Sequence, residues 1–290
     1  MALDILPPIL PRNEVSILAG ASGAGKTTLI MQLVSAIQHN TPFFGFNPSG
    51  PGTRIAYIVA DRAKDSALHW AQRAGVDTTH LPMLSLVDDP GISMAKLATA
   101  PLDLLFELAG KLLPCDLLVV DPLIVFLGGD TKNYNQNAAK LIQLNRWAKK
   151  QNVTILGTHH AAKARSDYGF MRPQDRISGS SALLGYTSTQ LFLNTPQEAA
   201  KDYYSFHVVA HTHEGLEIKM MRNEKGTFIP FEEKGIDEQI MEMLEDAKEA
   251  GRADFLRTLN IPERTVDYHL DALVQAGRLV KPKHGRYTQA

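Results

Sequence analysis

The chain carries one cysteine, Cys115, among 290 residues. A single thiol in an apolar stretch cannot form an intrachain disulfide, so a reducing interior suits this protein. Long hydrophobic runs are missing as well. None approaches the roughly 18 residues that a bilayer-spanning helix requires, and Met1 to Pro11 lacks the basic start and long apolar centre of a secretory signal. The expectation is a soluble, cytoplasmic protein without a membrane partner. Excess charge of either sign is also lacking: 30 basic against 31 acidic residues leave a formal net charge of −1. That balance excludes a polybasic protein, so contact with nucleic acid must come from local basic patches. Low-complexity segments and internal repeats are absent. The 44% apolar content is enough for one core of ordinary size and a small second domain.

Against this plain background one stretch stands out. Gly20-Ala21-Ser22-Gly23-Ala24-Gly25-Lys26-Thr27 satisfies the pattern G-x-x-x-x-G-K-[ST] in full. It lies between an apolar run, Val15 to Ala19, and residues at helical spacing, Leu29, Ile30, Leu33, Val34 and Ile37. A phosphate chain needs many N–H donors at close range, which a glycine-rich turn feeding a helix N-terminus supplies. Gly20, Ser22, Gly23, Ala24, Gly25, Lys26, Thr27 and Thr28 are therefore the expected binding residues for ATP. Lys26 supplies a mobile cation to the β- and γ-phosphates, and the Thr27 hydroxyl is placed to ligate Mg²⁺.

Strand-like runs alternate with helix-like segments to about residue 195, which predicts an α/β fold with a mainly parallel sheet and helices on both faces. The predicted strands are Val15 to Ala19, Arg54 to Ala60, Leu117 to Asp121, Val153 to Thr158 and Gln190 to Asn194. The predicted helices are Thr27 to His39, Asp65 to Ala74, Ala95 to Leu113, Asn137 to Lys150 and Ser180 to Tyr186. From Tyr203 to Phe231, short runs separated by glycine read as antiparallel hairpins closing the sheet. The expected domains are residues 1–233 and 236–290, joined by a short charged linker.

Cys115 to Asp121 is an apolar strand ending in a carboxylate, about 95 residues after the phosphate loop. Asp121 then sits at the carboxyl end of a central strand, where it would hold Mg²⁺. Two more strands should end on the same edge. One ends in Asp61-Arg62, and Asp61 is a candidate to polarise the attacking water, with a helix cap or a partner for Arg62 as alternatives. The other ends in Thr158-His159-His160, where His159 or Thr158 is a candidate γ-phosphate sensor and a zinc site is the competing reading.

The tail has a pattern of its own. Three helix-like segments, the third opened by Pro262, precede two short strand-like runs around the turn Pro282 to Gly285. That is the order of a winged helix. Its third helix mixes Glu263, Arg264, Asp267 and Asp271, so the wing, with Arg278, Lys281, Lys283, His284 and Arg286, is the part suited to phosphates. The tail is expected to add salt-sensitive DNA affinity through the wing, or to dock a replication protein.

The ordered motifs "GASGAGKTTL", "IVADR", "LLVVDPLIVFLGG", "ILGTHHAAK" and "GSSAL" resemble the RecA-fold ATPases of the RepA type, hexameric plasmid and phage replicative helicases related to DnaB. The resemblance runs from about Ile17 to Lys225. It implies a RecA-like domain that hydrolyses ATP at the subunit interfaces of a hexameric ring with single-stranded DNA at its centre. Two departures accompany it. The family usually has Glu where this chain has Asp61, and "ALLGYTSTQLF" lacks the expected arginine finger. Arg222, ending "LEIKMMR", is similar to the basic strand that such rings present to a neighbour's nucleotide, with Lys219 and Lys225 as competitors. Loops in RecA-like proteins contact DNA at places matching Gly128 to Asn137 and Lys163 to Arg176. In the second of these, Lys163, Arg165, Arg172 and Arg176 alternate with Tyr168 and Phe170, offering phosphate contacts and stacking surfaces together.

Overall fold

The computed structural model describes residues 4–128, 133–160, 182–196, 203–210, 213–231, 235–259, 261–281 and 285–290. The chain divides into two compact units, Met1–Phe231 and Glu232–Ala290. The first begins with β1 (Val15–Gly20), α1 (Lys26–His39), β2 (Ile55–Val59), α2 (Lys64–Arg73), β3 (Met83–Ser85), α3 (Met94–Thr99) and α4 (Pro101–Lys111). It continues with β4 (Leu117–Asp121), α5 (Ile124–Leu127), α6 (Tyr134–Gln151), β5 (Thr154–His160) and α7 (Ala182–Gly185). It closes with β6 (Thr189–Asn194), β7 (Tyr204–Ala210), β8 (His213–Arg222) and β9 (Phe228–Pro230).

These nine strands form one sheet in the order β3-β2-β4-β5-β1-β6-β7-β8-β9. Neighbours from β3 to β6 run parallel, and β6 to β9 pair antiparallel. β1 has parallel neighbours on both sides and all six of its residues are buried, which is why its sequence is a nearly continuous apolar run, broken by the buried Ser16, rather than an alternating one. Alternation along the other strands assigns side chains to two layers. Leu18, Tyr57, Val59, Leu117, Val119 and Leu156 share one core with α1, while Ile17, Ala56, Ile58, Leu118, Val120 and Ile155 share the other with α4 and α6.

The predicted mainly parallel α/β sheet with flanking helices is present, with local differences. The single helix expected from Ala95 to Leu113 is two, because Pro101 lacks the N–H that helix continuation needs and instead opens α4 at its first position. β3 was not foreseen, since three residues are too few to show a period. α6 begins at Tyr134, inside the stretch expected to be loop, where the Asn133 side chain accepts from Gln136 N–H and caps it. Among the described residues, no helix is long and apolar enough to cross a membrane.

The second unit consists of α8 (Ile236–Ala247), β10 (Ala250–Gly251), α9 (Arg252–Leu259), α10 (Glu263–Gln275), β11 (Leu279–Val280) and β12 (Arg286–Gln289). Its small sheet has the order β10-β12-β11 and is antiparallel. Ile240, Leu244, Phe255, Val266, Leu270 and Leu273 build its own core from one face of each helix.

Candidate active site

The loop between β1 and α1 is shaped by its glycines. Gly23 and Gly25 have φ of 78° and 104°, conformations that side chains with a Cβ rarely adopt. Gly25 also lies so close to the rest of the chain that an added Cβ would meet Phe228 Cζ at 2.8 Å. α1 then starts at Lys26, directly after the left-handed Gly25, so the N-terminal end of the helix follows the loop. The Lys26 ammonium is buried and donates to the carbonyls of Gly20 at 2.9 Å and Ala21 at 3.0 Å.

Asp121 ends β4 on the α1 side of the sheet and is 4% exposed. Three hydroxyls converge on its carboxylate. Thr27 Oγ1 donates to Oδ2 at 2.8 Å, Tyr57 Oη to the same oxygen at 2.9 Å, and Thr158 Oγ1 to Oδ1 at 2.5 Å. The register explains the convergence: Tyr57 lies opposite Val119, two residues before Asp121, and Thr158 follows Leu156 on the same face of the adjacent strand. Burial, then the Asp121 charge, pushes the Tyr57 phenol well above its usual range, so it stays a neutral donor. Thr27 and Asp121 thus form a hydroxyl–carboxylate pair that fits Mg²⁺, a hard ion taking oxygen ligands.

Around this pair lies a cavity of about 320 Å³ lined by Ser22, Gly23, Gly25, Lys26, Thr27, Thr28, Asp61, Arg62, Trp70, Asp121, His160 and Arg222. Of the residues expected at the site, Ser22, Gly23, Gly25, Lys26, Thr27, Thr28, Asp61, Asp121 and Arg222 therefore meet in one place, with Gly20 and Ala24 in the same loop. Asp61 does not cap α2; Asp88 accepts from the Lys64 N–H there instead, at 2.5 Å. Asp61 is paired with Arg62, whose Nε and Nη2 donate to Oδ1 and Oδ2 at 2.9 and 3.3 Å.

His159 does not join them. It follows Ile155 and Gly157 on the sheet face away from α1, 3% exposed, with Nδ1 against the His160 carbonyl at 2.7 Å. Alternation along β5 turns His160, not His159, into the cavity. Among the described residues no group of three or more His, Cys, Asp or Glu could hold a metal ion, so the zinc reading of the histidine pair has no ligand set there. Burial, chiefly, lowers the affinity of both imidazoles for a proton.

Arg222 stands against the phosphate loop of its own chain. Its Nη2 donates to the Ala24 carbonyl at 2.9 Å, and its guanidinium lies 5.2 Å from the ring centres of both Tyr204 and Phe228. The Gln32 amide clasps the Phe228 backbone through two bonds of 2.8 Å, fixing the β8–β9 hairpin to α1. Lys163, Arg165, Arg172 and Arg176, expected to touch DNA, lie outside the described residues.

Sequence reasoning missed Tyr57, His160, and the packing of a half-buried Arg222 against two rings. A tyrosine in an otherwise aliphatic strand run, Ile55 to Val59, was the available signal for the first. With a complete phosphate loop, a carboxylate-ending neighbour strand and the hydroxyl–carboxylate pair between them, the comparison with known families is decisive: the AAA domain family matches residues 3–166 of 290. The chain belongs to the AAA domain family. Comparison with curated proteins finds no match. Membership agrees with the geometry, for a nucleotide-binding P-loop ATPase domain needs the loop, the cation and the acidic strand end that the AAA domain of this chain brings together.

Proposed function

We propose that this protein is a Mg²⁺-dependent ATPase that works as a ring-forming helicase on single-stranded DNA, in the replication of a plasmid, phage or other mobile element. The observation that carries the ATPase part is the Thr27–Asp121 pair at 2.8 Å beside Lys26 in one cavity. Mg²⁺ held there by Thr27 and Asp121 would offset charge on the phosphates, the main demand of phosphoryl transfer. Lys26 would exchange its carbonyl partners for β- and γ-phosphate oxygens, and Asp61 would accept the proton of the attacking water. The five ordered motifs shared with hexameric helicases support the DNA-translocating part, as does the basic and aromatic composition of Lys163 to Arg176.

A second reading is favoured by the tail. Its three helices and antiparallel strands support the winged-helix assignment. The carboxylates expected to repel a duplex are partly offset, since Arg252 pairs with Asp267 and with Glu263, each at 2.5 Å. Tyr268 remains 71% exposed on α10. In this reading the protein is an ATP-controlled DNA-binding switch without unwinding activity.

The test is ATP turnover with and without single-stranded DNA, with Lys26→Ala as control, followed by unwinding of a forked duplex. Stimulation and unwinding are expected. Turnover without unwinding, together with tight duplex binding by the tail, would select the switch; turnover undiminished by Lys26→Ala would remove the ATPase reading. For Arg222, action on a neighbour's nucleotide predicts that mixing Arg222→Ala with Lys26→Ala subunits restores some turnover. Its contact with Ala24 of the same chain predicts no recovery.

A further inference from the structure

We infer that Arg62 binds the terminal phosphate of ATP within its own chain, and that its pairing with Asp61 masks the water-polarising carboxylate until that phosphate arrives. This rests on reading the cavity as an ATPase site.

Arg62 lines the cavity together with Lys26, Thr27 and Asp121. Its side chain is 33% exposed and that of Asp61 36%, so the pair sits at the mouth, reachable by a ligand yet partly shielded from water. The turn that carries them is pinned from below. The buried Ser85 hydroxyl donates to the Arg62 carbonyl at 3.0 Å and itself accepts from the N–H groups of Val87 and Asp88. The backbone therefore holds still while the guanidinium has freedom to turn. The other arginine of the cavity lacks that freedom, because Arg222 is engaged by Ala24 and packed against two rings.

The chemistry favours exchange. A guanidinium offers five N–H donors in a fork, of which Asp61 engages Nε and Nη2. A terminal phosphate carries more charge than a carboxylate and presents several acceptor oxygens to the same fork, so it competes well for Arg62. While paired, both Asp61 oxygens accept from Arg62, which takes the place of a water there. Once released, it can accept a proton from water. The water oxygen bonds to the γ-phosphorus, the bond to the bridging oxygen breaks, and that oxygen keeps the electron pair and leaves as ADP. The proton passes through Asp61 to the released phosphate. ADP lacks the group that draws Arg62 away, so Asp61 is masked again in the product state.

The experiment measures binding of ADP and of a non-hydrolysed ATP analogue by calorimetry to the full chain and to Arg62→Ala, Arg62→Lys and Asp61→Asn. Arg62→Ala is expected to weaken the ATP analogue by about tenfold or more, the size of a lost charge-assisted hydrogen bond, with ADP within about threefold of the parent. Arg62→Lys should fall between, since it keeps the charge and loses the fork. Asp61→Asn removes the competitor, so the analogue should bind more tightly relative to ADP while turnover is lost. An unchanged ratio of analogue to ADP affinity in Arg62→Ala overturns the inference, and if that variant does not fold, an unchanged ratio in Asp61→Asn does so. Recovery of turnover on mixing Arg62→Ala with Lys26→Ala subunits overturns action within the chain. A parent that binds neither nucleotide removes the ATPase reading itself, which is a different result from a parent that binds both with no Arg62 effect.

Discussion

Replacing Tyr57 by phenylalanine removes one oxygen from a side chain that is 0% exposed and leaves its ring volume unchanged. The loss is a single bond of 2.9 Å to the Asp121 carboxylate. Hydrogen bonds to charged groups contribute about 1.5–3 kcal/mol, and Asp121 keeps its bonds from Thr27 and Thr158. The variant should therefore be destabilised by about 2 kcal/mol. At about 2–4 °C per kcal/mol for a domain of this size, the thermal midpoint of the ATPase unit should fall by about 4–8 °C. The phenol is held above its usual range in the folded chain, so its contribution is complete below the unfolded value of about 10 and fades as pH rises beyond it. The gap between parent and variant should hence be constant from neutral pH to about 10 and narrow above. Calorimetric melting at several pH values gives the comparison. A double-mutant cycle with Thr158→Val should show coupling of at least about 0.5 kcal/mol, because both hydroxyls serve one carboxylate. The half-saturating Mg²⁺ concentration for turnover should also rise. A Tyr57→Phe protein within about 0.5 kcal/mol of the parent would refute the idea that this hydroxyl orients an ionised Asp121.

Gly25→Ala places a Cβ at φ 104° and against Phe228, so it should cost about 1–3 kcal/mol and abolish nucleotide binding; retained affinity in a nucleotide titration would contradict the loop geometry. Arg222→Gln removes the bond to Ala24 and two ring contacts, and urea denaturation should show a loss of about 1–3 kcal/mol. Because His159 has its proton affinity lowered in the fold, the unfolded chain binds the extra proton first, and stability should decline as pH falls below about 6.5. His159→Gln should flatten that decline, and unfolding midpoints between pH 5 and 8 that drop as steeply as the parent's would count against it. Phe255→Ala empties the centre of the second core, costing that unit about 3–5 kcal/mol; calorimetry should show its transition lost or lowered while the first unit's stays in place.

What the sequence determined by itself is whatever chemistry demands of neighbouring residues. A phosphate cradle needs glycines, a lysine and a hydroxyl in fixed succession, so Gly20 to Thr27 declared itself without a structure. The buried strands β1 and β4 were equally plain, for a strand enclosed on both faces reads as a nearly continuous apolar run, and Asp121 at the end of one could be placed on the ligand edge. Tertiary structure decided everything that depends on register and on distant partners. A shift of one position moves a side chain to the other face of a sheet, and for that reason His160 rather than His159 reaches the cavity. Tyr57 and Asp121 are 64 residues apart, and only the pairing of β2 with β4 brings them together. Arg222 is set against Ala24 by a clasp between Gln32 and Phe228, 196 residues apart in sequence. Asp61 offered three roles on paper. The fold pairs it with Arg62 and gives the capping of α2 to Asp88, because the direction of a side chain at a strand end follows from what packs around it, which no local pattern encodes.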